Sequence, residues 1–358
     1  MTRKRCDFIN NNLPVKNTNA KLKELDYMRV IACIGVIIIH ISATGVTDYI
    51  KGSLPYIITV IINRSMQFVV PFFIFLSGVT SFHTSDSKEF NYFLFMKKKL
   101  EKVFIPYFIW CFIYYSANLI WVGSYDFNII SFLKGVLSGG LSYHLYFVII
   151  IMQLYILGPL FYFVLKRVKN KIPLLIISAI FTAIFIATLK FKFANRIFLK
   201  YMFFYMLGIY VSMEYRKYTS RLKKYRSLII LIYIAFDIMY IASYYYNRKY
   251  YPLIWFLYCT ASIFFYNYIG LILGERSDAY YSFINLFSQS SYYIYLMHPI
   301  VLSFIIKYTA YIGIKSTSQR LMIFTIVVFP VSVISSLLYT VVKKKVGKHL
   351  RGKKIPQI

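Results

Sequence analysis

Long apolar blocks separated by short basic loops constrain this chain more than any other feature. The first block opens with RVIACIGVIIIH, residues 29–40. The blocks approach or exceed about 18 residues with few charges, and about 20 helical residues cross the hydrocarbon core of a bilayer. With 59% hydrophobic and only 15% charged residues among 358, and a mean hydropathy of +0.60, the chain is too apolar for a water-soluble domain of its length. The fold class expected is all-α: a polytopic transmembrane helical bundle of about ten spans.

The spans are expected over residues 28–46, 54–82, 103–122, 144–165, 172–190, 199–213, 227–246, 251–272, 288–311 and 319–342. The second is interrupted by Asn63-Arg64-Ser65 and by Pro71. This divides the chain into a basic tail (1–25), a transmembrane domain (26–342) and a second basic tail (343–358). The largest Lys/Arg clusters follow spans two, four and six and close the chain, which puts both termini in the cytoplasm. Lys190 to Lys200 and Arg248-Lys249 run against that trend. The first 25 residues contain no apolar core of the kind a cleavable signal peptide carries.

A net charge of +30 raises the question of a nucleic-acid partner. The basic residues are dispersed between apolar blocks, as loops beside anionic headgroups are. Membrane lipids, and no nucleic acid, are the partner this implies. Cys6, Cys33, Cys111 and Cys259 are isolated from one another, with no C-x-x-C pair. No disulfide framework and no metal site are expected.

Arg29 and His40 are costly in an apolar helix, and their spacing is informative. Eleven residues at about 100° each make three turns and about 20°, so the two share a helix face about 16 Å apart along the axis. Arg29 then lies near the cytoplasmic interface, where it can snorkel or pair with Asp26 at i,i+3. His40 lies at least midway through the bilayer, where an ionisable group marks function by default.

Four stretches in order resemble the acyltransferase-3 family of bacterial integral-membrane acyltransferases. R-x10-H in the first span is similar to the family signature. VPFFIFLSGV (70–79) is similar to its Pro- and aromatic-rich second span ending in Ser-Gly. HLYFVIIIMQLYILGPL (144–160) and SYYIYLMHPIVL (291–302) resemble its later His-Leu-aromatic-Phe and His-Pro segments. The match extends over about 275 residues. One departure concerns the loop before span three, where KKKLEKVFIPY stands in place of the arginines common in the family. Lysine keeps the attraction for phosphate but lacks the bidentate fork. The resemblance is to stand-alone members.

The resemblance implies transfer of an acyl group, usually acetyl from cytoplasmic acetyl-CoA, to a hydroxyl of a cell-surface or exported glycan. The setting implied is a bacterial cytoplasmic (inner) membrane. The residues suit that chemistry. His40 is the candidate general base, since acyl transfer to an alcohol needs one within hydrogen-bond reach of the hydroxyl. Arg29 joins it as a catalytic candidate, and Arg29, Lys98, Lys99 and Lys102 are the candidates for the phosphates of acyl-CoA. On the acceptor side the candidates are His144, Arg64, Asn63, Gln67, Asp237 and His298, with Ser77 as a further hydroxyl-orienting group. His144 serves equally as a structural residue, a packing role is favoured for His298 beside Pro299, and Arg64 and Asp237 either pair with each other or find separate partners. His83 and His349 are expected to be solvated. A second function class stays open, a polysaccharide transporter or export component without acyl transfer.

Overall fold

The structure is a computed structural model that describes residues 22–83, 90–123, 126–189, 191, 193–246, 249–276 and 279–352. Most of the first basic tail with Cys6, Lys190, Arg248 and the end of the second tail lie outside the described residues. Among the described residues every regular element is helical.

Among the described residues, eight helical stretches are long and apolar enough to cross a membrane: Lys23–Asp48, Leu54–Phe82, Tyr92–Val122, Tyr146–Arg167, Arg226–Tyr246, Tyr251–Arg276, Tyr281–Tyr311 and Thr317–Gly347. The expected fifth and sixth spans correspond to shorter apolar helices, Ile172–Thr188 and Phe198–Met213. At 17 residues, the first of these rises only about 26 Å, somewhat less than the hydrocarbon thickness of about 30 Å. The about ten expected spans thus resolve into eight full-length helices and two shorter ones.

Helix α1 (Lys23–Asp48) is the hub. It packs on α2 (Leu54–Ser65), α3 (Val69–Phe82), α12 (Tyr251–Arg276), α13 (Tyr281–Tyr311) and α14 (Thr317–Gly352). Met28, Ala32, Cys33, Val36 and Ile37 are all buried on it, as a helix surrounded by neighbours requires. The second span breaks at Met66–Phe68. Pro71 is the third residue of α3, where its missing N–H is one of the groups a helix start leaves unpaired in any case.

Between α3 and α9 (Met202–Met213) the backbones nearly touch. A Cβ on Gly78 would stand 2.5 Å from the Tyr205 carbonyl oxygen and 3.1 Å from the Gly208 Cα. Without a hydrophobic drive between helices in lipid, such small-residue crossings supply the packing. The Ser-Gly end of VPFFIFLSGV is therefore a crossing point first.

The remaining helices complete the shell. They are α4 (Tyr92–Lys99), α5 (Ile105–Val122), α6 (Ile129–Ser138), α7 (Tyr146–Arg167), α8 (Ile172–Thr188), α10 (Tyr215–Lys224) and α11 (Arg226–Tyr246). Short α10 presents Arg216, Lys217, Arg221, Lys223 and Lys224 outward and buries Tyr218 and Leu222. That is the pattern of a helix lying along an anionic surface. A π-helical turn, Leu100–Phe104, joins α4 to α5. Such turns interrupt a helix where a special geometry is needed.

Candidate active site

Two helices and a turn bring three histidines together. His40 comes from α1, His144 from the turn just before α7, and His298 from α13. The His40 ring lies 5.1 Å from His298 and 4.7 Å from Tyr143, and His144 lies 5.7 Å from His298, between centroids. Among the described residues no group of three or more His, Cys, Asp or Glu is arranged to hold a metal.

Each buried ring has one nitrogen committed. His298 is fully buried, with Nδ1 3.0 Å from the Ile294 carbonyl one turn back. A carbonyl only accepts, so that contact makes Nδ1 the donor and leaves Nε2 as the basic nitrogen. His144 has Nδ1 3.1 Å from the Ser142 hydroxyl, and its backbone carbonyl accepts from the Tyr295 phenol. Nε2 of both His144 and His298 is buried without a hydrogen-bond partner. Unpaired buried polar atoms are few in folded proteins; of these two rings, His144 lines a cavity together with His40, whereas fully buried His298 does not.

His40 and His144 line one cavity of about 160 Å³, together with Gln67, Val69, Phe147 and Tyr295 among others. A second cavity of about 200 Å³ adjoins it, with Arg29, Ser77, Thr80, Tyr155 and Ser291 in its wall. Phe147 and Tyr295 line both. The Arg29 guanidinium is held 3.3 Å from buried Asp26, the pairing expected at i,i+3. Asp26 also accepts from Ser288 at 2.7 Å and Tyr281 at 2.8 Å. These donors fix the carboxylate, which holds the cation in the cavity wall.

Of the lysine cluster, the structure brings only Lys99 to this region. Its ammonium donates to Ser81 at 2.8 Å and lies 4.1 Å over the ring of Tyr155, a cation–π contact. Tyr155 shares a 2.7 Å hydroxyl contact with Ser77. The π-helical turn follows directly. Its Val103 lines the Arg29 cavity and turns a carbonyl to the Tyr292 phenol at 2.8 Å. Lys98 and Lys102 are exposed.

The remaining candidates divide. Gln67 lines the His40 cavity. Asn63 is buried and donates to the Ile39 carbonyl at 2.9 Å and to Ser42 at 3.0 Å, which pins α2 to α1 beside His40. Arg64 and Asp237 line neither cavity, and they take separate partners. Arg64 stacks 4.1 Å over Tyr244 and donates to Tyr251 at 3.2 Å, while Asp237 accepts from Ser65 at 3.2 Å. His83 departs from the expected solvated state. It is half-buried, and its ring meets Tyr215 edge-on at 5.3 Å. His349 is exposed. Cys33, Cys111 and Cys259 are free and buried.

The sequence reading missed Tyr143, Phe147, Tyr155 and Tyr295. Among 36 tyrosines and 33 phenylalanines no aromatic residue stands out. The available signal was position, since Tyr143 and Phe147 flank His144 and Tyr295 precedes His298 by three residues.

A family model for an acyltransferase domain matches residues 22–341. The chain is 26% identical over 307 residues to the probable poly-beta-1,6-N-acetyl-D-glucosamine export protein of Staphylococcus aureus strain MSSA476, covering 80% of this chain and 84% of that one. It is 28% identical over 305 residues to the protein of the same name from Staphylococcus epidermidis, covering 80% and 82%. No solved structure gives a significant match.

Proposed function

The chain belongs to the acyltransferase-3 family, and from that premise we propose that it is a membrane O-acyltransferase. Its donor is cytoplasmic acyl-CoA, acetyl-CoA in the first instance, and its acceptor is a hydroxyl of a cell-surface or exported glycan. The bacterial cytoplasmic membrane is the setting. The observation that carries the reading is the pair of adjoining cavities, one with a cation and the other with a histidine cluster, that share Phe147 and Tyr295.

In this reading the phosphates of the donor lie toward Arg29 and Lys99, where charge-assisted bonds are strongest. Exposed Lys98 and Lys102 raise the local concentration of the anion. The thioester extends inward. His40 takes the proton of the acceptor hydroxyl as its oxygen attacks the thioester carbonyl carbon. A C–O bond forms and the C–S bond breaks, and the proton passes from His40 to the departing thiolate, which leaves as the free thiol of CoA. His144 offers its Nε2 to the acceptor or to the developing charge, His298 packs against the His40 ring, and Gln67 orients the hydroxyl. Asn63 positions His40 through the backbone of α1.

The names of the relatives speak of export, which favours a second reading, a polysaccharide transporter or export component; in that reading no acyl transfer occurs. His40→Gln separates the two. The glutamine keeps a hydrogen-bonding side chain but takes up no proton near neutral pH. Loss of glycan acylation at normal protein levels supports the transferase. Export that depends on the protein while the glycan carries no acyl group in wild type supports the exporter.

A further inference from the structure

We infer that Phe147 is the gate between the two cavities and sets how large an acyl group reaches His40. The inference rests on the acyl-transfer reading and adds a specificity-determining residue to it. Phe147 and Tyr295 are the two residues common to the walls of both cavities. They form the wall that a thioester anchored beside Arg29 meets on its way to the imidazole, about 16 Å away along α1.

The two halves of this wall are held differently. Tyr295 is fixed at several points. Its phenol donates to the His144 carbonyl, and its ring stacks on Tyr292 with 12° between planes at 6.2 Å. Tyr292 is in turn tied to the Val103 carbonyl at 2.8 Å. Moving Tyr295 would break a buried hydrogen bond and shift the turn that carries His144. Phe147 has no polar tether. It meets Tyr295 edge-on at 5.4 Å and Phe73 at 6.3 Å. A rotamer change at Phe147 therefore breaks no hydrogen bond of its side chain and disturbs apolar contacts alone.

The gate is thus a phenylalanine swinging against a fixed tyrosine. A small acyl group passes with a modest displacement. Each added methylene must be accommodated by further displacement of the ring, or within a His40 cavity of about 160 Å³. A single methylene in a fitted apolar pocket changes selectivity by about 10- to 200-fold, so the size of one side chain at this point is enough to set chain-length preference.

The test compares wild type with Phe147→Ala, Phe147→Leu and Phe147→Trp in reconstituted membranes. The donors are acetyl-, butanoyl- and hexanoyl-CoA, with a β-1,6-linked N-acetylglucosamine oligosaccharide as the acceptor probe. Free thiol release reports turnover, and thermal shift with each acyl-CoA reports binding. The butanoyl-to-acetyl ratio is expected to rise by about tenfold or more in Phe147→Ala, to rise less in Phe147→Leu, and to fall in Phe147→Trp. The binding series is expected to follow the same order. Acetyl turnover in wild type with an unchanged ratio in all three folded variants overturns the gate and leaves the acyltransferase intact. Wild type that neither binds nor turns over any acyl-CoA overturns the acyl-transfer reading, and the gate with it.

Discussion

Arg29 and Arg64 are both cations set into apolar helices, and the fold treats them in opposite ways. Arg29 is paired with Asp26 yet keeps 30% of its side chain exposed and lines a cavity. Arg64 spreads its plane against Tyr244 and reaches Tyr251, and no part of it lines either cavity. An ionisable group inside a membrane span is a reason to look for function. The comparison adds what to look for. Where the group's remaining hydrogen-bonding capacity faces a cavity, chemistry is available. Where an aromatic face and a hydroxyl hold the group away from either cavity, the same charge clamps helices together, here α2 to α11 and α12.

This contrast is open to attack by mutation, and the largest effect falls on the histidine. His40→Gln is expected to lower glycan acylation by about 10²- to 10⁴-fold, the usual contribution of a general base, with the protein still in the membrane. Radiolabel transfer from acyl-CoA at matched expression measures it. Activity close to wild type would make His40 a packing residue and move the chemistry to His144 or His298.

Next come the cations of the donor side. Arg29→Ala and Lys99→Ala should each weaken acyl-CoA binding by roughly 10- to 100-fold, since a charge-assisted bond contributes about 1.5–3 kcal/mol. Lys98→Ala and Lys102→Ala, at exposed positions, should change it less than about threefold, because exposed charges are screened. Equilibrium binding across the four variants tests this ordering. Equal effects at all four would mean that diffuse loop charge attracts the donor and that Lys99 has no special place.

A smaller effect is expected at Tyr295→Phe. It removes the phenol that holds the His144 carbonyl and should slow acyl transfer by about three- to tenfold, the equivalent of one buried hydrogen bond. Arg64→Met should be smallest in turnover, within about twofold of wild type. It should still lower thermal stability, because a desolvated cation–π contact contributes about 2 kcal/mol. A large loss of acylation in folded Arg64→Met would erase the contrast with Arg29.

Much of this was readable in the chain itself. Helical spacing put Arg29 and His40 on one face, and i,i+3 spacing paired Arg29 with Asp26. The His-Leu and His-Pro segments flagged His144 and His298 without showing that they converge. Convergence depends on how α1, α7 and α13 pack, and a one-dimensional pattern does not contain that. Choosing Lys99 over Lys98 and Lys102 needed its contacts with Ser81 and Tyr155, which other helices carry. His83 was expected in water because it lies in a segment expected on the cytoplasmic side. Tertiary packing against Tyr215, far along the chain, decided otherwise. The gate was hidden for a plainer reason: in so aromatic a sequence, Phe147 has no local mark.

The most direct test of the central claim is acyl transfer through the paired cavities. Membrane vesicles carrying wild type, His40→Gln or Arg64→Met at equal levels would be given radiolabelled acetyl-CoA on the cytoplasmic face, and the label entering polysaccharide would be counted. The account predicts label in wild type and Arg64→Met, and a loss of about 100-fold or more in His40→Gln. Equal labelling by His40→Gln, or unlabelled polysaccharide whose export still requires the protein, would contradict it.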